Sequence, residues 1–166
     1  MRSIPIVTSA AALTQQQIEE DRHWWFSSRT RAIHAVLRRH ARAGGLRVLD
    51  VGCGAGNMMH HLAEYGRVTG IEIDPRPLKL ALQRGYDAQL ADATAGFPFP
   101  DARFDLVAAF DVIEHAQDDE RILREAQRVL TPGGHLIITT PAFMLDRKST
   151  RLNSSHSRAS RMPSSA

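Results

Sequence analysis

The chain has 166 residues, 43% of them hydrophobic, which is room and apolar content for one domain or at most two small ones. Its formal charge is +3 and its pI about 9.6, but residues 146–166 carry five of the 21 basic side chains and one of the 18 acidic ones. That leaves 16 bases and 17 acids, a net of −1, on residues 1–145, and excludes a body built around a basic nucleic-acid or membrane-surface patch.

The start, MRSIPIVTSAAAL, has a weak apolar stretch interrupted by Pro5, Thr8 and Ser9, and lacks the basic opening of a signal peptide. No apolar run approaches the ~20 residues of a membrane span. The lone Cys53 excludes an internal disulfide and fits a reducing compartment, so a cytoplasmic protein is expected. Residues 14–43 read as helical. Ser27 or Ser28 is a plausible N-cap, Ile33, Val36, Leu37 and His40 share a face, and Gly44 and Gly45 form the stop. The aromatic cluster His23, Trp24, Trp25 and Phe26 falls in this segment. Two adjacent Trp cannot share a helix face, so one could pack on the domain and the other line a substrate entrance, but plain core packing is the expected reading.

Strand and helix then alternate. LRVLDV (46–51) is a strand, NMMHHLAEYG a helix, RVTGIEID (67–74) a second strand and PRPLKLALQRG a second helix. YDAQLAD (86–92) is a weak third strand and FDLVAAFDVI (104–113) a fourth. DDERILREAQRVL (118–130) is an amphipathic helix stopped by TPGG, and HLIITT (135–140) is a fifth strand. This spacing predicts an α/β fold: a Rossmann-like, doubly wound parallel sheet with helices on both faces, preceded by an N-terminal helical segment over 1–45. There is no internal repeat.

Gly52, Gly54 and Gly56 sit between the first strand and its helix, where a backbone free of Cβ atoms can approach a ligand at a helix N-terminus. Glu72, twenty residues past Gly52 at the end of the second strand, can accept hydrogen bonds from ribose hydroxyls, with Asp74 as a competing acid. A nucleoside-bearing cofactor is therefore expected. A dinucleotide fingerprint is not met, because the sixth position from Gly52 is Asn57. Cys53 reads as a small filler of the tight loop and not as a nucleophile. His60 and His61 come without acids at metal spacing, so no metal site is read. His115 is either a general base or a loop-shaping residue.

At these residues the sequence resembles the class I S-adenosylmethionine-dependent methyltransferases, and among them the broad group around the quinone-biosynthesis type. The matching pieces are LDVGCGAGN, GIEID, ADATAGFPFPDARFDLV, DVIEHAQD and LTPGGHLIITTP, in order, across about residues 46–141. The resemblance implies S-adenosyl-L-methionine as cofactor. It puts Asp50 and the Gly52–Gly56 loop with Cys53 at its methionine part, Glu72 at its ribose and Ile73, Asp92 and Ala93 at its adenine. Phe110 and Asp111 would line the methyl-transfer site, with His115 close by. The loop after the fourth strand lacks the Asn/Asp-Pro-Pro-aromatic segment of adenine-amino methyltransferases and the Pro-Cys nucleophile used on cytosine. A small-molecule, lipid, quinone or glycan acceptor is thus expected, and not nucleic acid. The alternative is a non-catalytic cofactor-binding or scaffold protein.

The family usually continues beyond the fifth strand with two more strands, so the sheet in residues 46–145 is expected to be incomplete. Residues 146–166, DRKSTRLNSSHSRASRMPSSA, have seven Ser, scattered Arg and no apolar periodicity, a composition that builds no core. They match, codon by codon, the translation of a common sequencing-library adapter. They are read as an assembly artefact on a chain whose native form continues further, the alternative being a basic arm for RNA or anionic lipid.

Overall fold

A computed structural model describes residues 23–41 and 44–141. Expectations about residues 1–22, 42–43 and 142–166, including the start of the N-terminal helix and the Ser/Arg-rich tail, lie outside the described residues.

The first helix among the described residues, α1 (Trp24–His40), carries Arg38, Arg39 and His40 in its last turn, where cations complement the helix dipole. It begins ahead of both expected caps. His23 takes the cap position, and the Ser27 hydroxyl donates inside the helix to the Trp24 carbonyl at 3.1 Å. Its buried stripe is Thr30, Ile33 and Leu37, joined by Ala41, while Val36, expected on that face, is exposed.

The remaining elements are β1 (Leu46–Val51), α2 (Met59–Leu62), β2 (Gly66–Glu72), α3 (Pro75–Gln83), β3 (Asp87–Leu90), β4 (Phe104–Phe110), a 3-10 turn (Ile113–His115), α4 (Asp119–Val129) and β5 (Leu130–Thr139). The five strands form one sheet in the order β3-β2-β1-β4-β5, with every pair parallel. This is the doubly wound arrangement the alternation predicts. The chain winds outward from β1 to β3 and then returns to place β4 on the other side of β1. The crevice beyond the C-terminal ends of β1 and β4 is the topological switch point, where open α/β sheets bind ligands.

Side chains alternate across the sheet and build two cores. Val48, Leu106, Ala108 and Phe110 pack with Ile33 and Leu37 of α1, Leu62 of α2 and Tyr65. Leu49, Val51, Ile71, Val107 and Ala109 pack on the other face with Ile122, Ala126 and Val129 of α4. Each Val, Leu, Ile or Phe side chain fully buried in this way contributes about 1.5–3 kcal/mol.

β4 ends at Phe110, short of the expected residue 113, where the 3-10 turn begins, and two further elements depart from expectation. The helix expected over 57–66 shrinks to Met59–Leu62 because the chain must turn into Gly66, where a Cβ would lie 1.9 Å from the Leu46 carbonyl oxygen. The TPGG stretch does not end in a loop but belongs to β5. Phe104 pairs with Leu130 and Leu106 with His135, so the extra residues bulge out of the ladder, with Gly133 at φ +79°. Among the described residues no helix is long and apolar enough to cross a membrane.

Candidate functional site

β1 delivers the glycine loop to the switch point, and each glycine there answers a different demand. Gly52 adopts φ +70°, and a Cβ on it would lie 2.5 Å from Cγ2 of Val112, the residue that follows β4 by two. Gly56 adopts φ +84° against the Tyr86 ring, which a Cβ would meet at 2.4 Å. Gly54 faces open space and donates its N–H to Glu72 Oε2 at 2.9 Å. The other oxygen of Glu72 accepts the Asp74 N–H at 2.8 Å, so this buried carboxylate joins the glycine loop to the start of α3. Asp74 is spent on capping α3. It accepts from the Arg76 N–H at 2.9 Å and pairs with the Arg76 guanidinium. Of the two competing acids, Glu72 is the one at the loop. A carboxylate taking one bond on each oxygen retains lone pairs for further donors.

Asp50, the residue before the last of β1, is 2% exposed, and among the described residues its Oδ2 has no hydrogen-bond partner. Burial first, and the Glu72 charge second, push its carboxyl up to about 7, with Arg29 pulling the other way. Cys53 fills the space over Gly70, where a Cβ would lie 2.6 Å from its Sγ. Burial and the neighbouring Asp50 and Glu72 charges push its thiol up to about 12, so it stays protonated and is no nucleophile at neutral pH.

Two cavities open at the switch point. The smaller, of about 150 Å³, is lined by Gly52, Ile73, Asp92, Ala93, Val112 and His115, with Ile71, Ala91, Thr94, Ala116 and Ile122 completing its wall. Residues from the ends of β1, β2 and β3 and from the turn after β4 thus meet in one cavity. Ile73 exposes 62% of its surface here, an apolar side chain left open beside the cleft. Asp92 accepts from the Thr94 N–H at 2.8 Å and its hydroxyl at 2.6 Å, and these bonds hold its carboxyl below the usual carboxylate range. The His115 side chain is 72% exposed at the rim of this cavity, and its N–H closes the 3-10 turn onto the Val112 carbonyl.

The larger cavity, of about 350 Å³, lies between α1 and the ends of β4 and β5. Trp24, Trp25, Ser28 and Arg29 line it from α1, Asp111, Thr139, Thr140 and Pro141 from the sheet. Asp111 occupies the left-handed region at φ +55°. Its carboxylate pairs with the Arg29 guanidinium and accepts from the Thr139 hydroxyl at 3.1 Å, while its N–H donates to the Thr139 carbonyl at 2.9 Å. A strained non-glycine residue held from three sides is what functional positions often show. Both tryptophans line this cavity and both are exposed, at 69% and 51%, which replaces the expectation that core packing fixes them.

Phe110, expected beside Asp111, lines neither cavity. β4 alternation turns its side chain into the core beneath α1. Asp50, Cys53, Gly54, Gly56 and Glu72 line neither of these two cavities. Arg29, Thr94, Val112 and Thr139 were not singled out from sequence. Arg29 and Thr139 acquire meaning only through Asp111, 82 and 28 residues away, and no local pattern carries that.

A sequence profile described as a methyltransferase domain matches residues 49–138. The chain is 38% identical over 106 residues to 27-O-demethylrifamycin SV methyltransferase of Amycolatopsis mediterranei (strain S699), covering 58% of this chain and 39% of that one. It is 30% identical over 133 residues to the ubiquinone biosynthesis O-methyltransferase of Pseudomonas entomophila (strain L48), covering 70% and 57%. It therefore spans about half the length, or less, of these relatives. Among solved structures, an S-adenosylmethionine-dependent methyltransferase from Mesorhizobium loti aligns with TM-score 0.57 at 29% identity, over 64% of this chain and 52% of that one. The [4+2]-cyclase SpnF aligns with TM-score 0.63 at 32% identity, over 72% and 47%.

Proposed function

Because the chain belongs to the class I S-adenosylmethionine-dependent methyltransferases, whose cofactor is S-adenosyl-L-methionine, we propose that the whole protein transfers a methyl group to a small-molecule acceptor. The observation that carries this reading is the pair of cavities on either side of Gly52 and Asp111 at the switch point, one fit for a nucleoside and the other walled by aromatic rings.

The residues present fit the cofactor. The smaller cavity is walled by Ile73, Ala91, Ala93 and Ile122 with a carboxylate, Asp92, at its edge, which suits a flat base with an amino group. Glu72, the carboxylate at the glycine loop, is the acid we assign to the ribose hydroxyls. The buried Asp50 oxygen without a protein partner suits a cationic group of the methionine part. The open face of Gly54 leaves room for that part to pass. When bound, the cofactor supplies a methyl group already activated on a sulfonium sulfur.

What remains for the chain is alignment and exclusion of water. Trp24 and Trp25 stand as an apolar wall for the acceptor. Arg29 and Thr139 fix the Asp111 carboxylate at the floor of the larger cavity, where it can accept a hydrogen bond from an acceptor hydroxyl or amine and orient it. Phe110 backs Asp111 from the core. His115, exposed at the rim of the nucleoside cavity, shapes that rim through its turn. A rifamycin-type or quinone-type O-methylation is named for the two relatives, and for this protein an aromatic or lipid-like acceptor is the class the tryptophan wall suits. The single cysteine supports a cytoplasmic setting.

The test is thermal melting and calorimetry with S-adenosylhomocysteine and with NAD, followed by incubation with methyl-labelled cofactor and a panel of phenolic, quinol, lipid and sugar acceptors. Stabilisation by S-adenosylhomocysteine alone and label transfer to an acceptor carry the proposal. Stabilisation by NAD would overturn it. A second reading, a protein that binds the cofactor without methylating, draws on the fold shared with a protein titled a [4+2]-cyclase. Cofactor binding with no labelled product from any acceptor would favour it.

A further inference from the structure

We propose that His34, His61 and Glu64 form a site for a divalent transition-metal ion of zinc-like ligand preference, which ties α1 to the turn after α2. One ligand atom from each of the three lies within 4.8 Å of the others, although His34 stands 27 residues ahead of His61 along the chain. The fold supplies what the sequence lacked. His61 lies in the last turn of α2 with His60, and the Glu64 N–H donates to the His61 carbonyl at 3.3 Å, which keeps one helical turn and brings the i and i+3 side chains to one side. α1 crosses above and adds His34, whose Nδ1 lies 3.8 Å from Glu64 Oε2 and whose ring meets the His61 ring edge-on at 5.5 Å.

The donor set decides the metal. Two imidazoles and one carboxylate suit Zn²⁺ and its neighbours, while Mg²⁺ prefers oxygen ligands and its own waters. The hydroxyl of the buried Tyr65 lies 2.9 Å from the same His34 Nδ1, so an ion bound at that nitrogen takes the place of this hydrogen bond. His34 is mostly enclosed and Glu64 half open to solvent, so an ion can enter from the Glu64 side and keep a water there. None of the three lines either cavity at the switch point. A metal here would instead lock the helix that presents Trp24, Trp25 and Arg29 to the larger one.

The experiment titrates the untagged full chain, freed of metal by chelator, with Zn²⁺ alone by calorimetry and with Co²⁺ followed by visible absorption. The expected result is a single equivalent of Zn²⁺, a tetrahedral Co²⁺ spectrum, a higher Tm, and no comparable response to Mg²⁺. Glu64→Gln, at an exposed position, and His61→Asn should each weaken Zn²⁺ binding about 10–100-fold while leaving the metal-free Tm near that of the parent. His135→Ala, on β5, should leave binding unchanged. Zn²⁺ binding that is absent, that survives both ligand substitutions, or that is lost only in His135→Ala would overturn the proposal.

Discussion

Arg29 and Asp111, 82 residues apart, form an ion pair that ties the start of α1 to the residue after β4. The two ends of the pair are held independently, Arg29 by its helix and Asp111 by Thr139. Neither is deeply enclosed, with side-chain exposures of 20% and 32%, so the pair contributes modestly to stability and chiefly fixes geometry. A double-mutant cycle of Arg29→Ala and Asp111→Asn is expected to give a coupling of about 1 kcal/mol in urea unfolding. Each single substitution should cut methyl transfer by roughly 100-fold, since misplacing a positioning group costs far more in rate than in folding. A loss of stability as large as the loss of rate would contradict this assignment.

The tryptophans at the start of α1 make a separate prediction. Both are exposed beside the larger cavity, so Trp24→Ala and Trp25→Ala remove no core contact. Their Tm values should stay within a few degrees of the parent and S-adenosylhomocysteine affinity should be unchanged. The acceptor KM should rise by roughly tenfold or more, as expected on losing an aromatic wall. Equal loss of cofactor affinity would place them at the cofactor instead.

Glu72 and Asp74 lie two residues apart and have different partners. Glu72→Gln is expected to weaken S-adenosylhomocysteine binding by roughly 10- to 100-fold, the about 1.5–3 kcal/mol of a hydrogen bond to a charged acceptor. Asp74→Ala removes the cap of α3 and should lower Tm with little change in affinity. Calorimetric titration of both variants decides between them, and a larger affinity loss for Asp74→Ala would reverse the assignment.

The buried Asp50 predicts a pH dependence. Its carboxyl titrates near 7 in the folded protein and at the ordinary carboxylate value when unfolded. Between these, the folded state holds the extra proton, so the Asp50 contribution to stability is present at acid pH and lost as pH rises through about 7. Other carboxylates, such as Glu125, titrate low and act with opposite sign, so the comparison must be with Asp50→Asn. That variant should match the parent near pH 4 and become progressively more stable than it up to about pH 8. Parallel stability curves across this range would show that Asp50 is not the group responsible.

The sheet and the glycine loop were legible because their signals are local. Strand periodicity indicated five parallel strands, and Gly52 and Glu72 sit at the ends of readable strands, whereas Ile73, Asp92 and Ala93 came only with the family resemblance. What escaped notice depends on contacts across the fold. Arg29 looks like one of many helix arginines until Asp111 is placed opposite it, and Glu64 looks like a surface acid until α1 sets His34 above His61. The TPGG stretch carries a turn signal, and only the pairing of Phe104 with Leu130 reveals that the turn is a bulge within β5. Local chemistry gave the right residue types, and packing decided which of them meet.

Arg128 on α4 illustrates such packing and yields the last prediction. Its guanidinium donates to the Phe97 and Phe99 carbonyls at 3.0 and 2.8 Å, to Asp101 at 2.7 Å and to Glu125 through two bonds of 2.9 and 2.7 Å. Glu125 in turn accepts the Phe97 N–H at 2.7 Å, so the 97–101 loop leading into β4 is stapled to α4 by one arginine and one carboxylate. The planar fork makes these bonds simultaneously, and a lysine ammonium cannot. Arg128→Lys should therefore cost about 2 kcal/mol at pH 7 and speed amide exchange in residues 97–102 ahead of the rest of the sheet. The Arg128 guanidinium holds the Glu125 carboxyl down to about 2, so this part of the stability is present above the ordinary carboxylate range and lost as pH falls toward 2. In Arg128→Lys that acid loss should shrink, and the gap between variant and parent should narrow from pH 7 to pH 3. A gap of constant size would mean that Arg128 acts through its carbonyl bonds alone and not through Glu125.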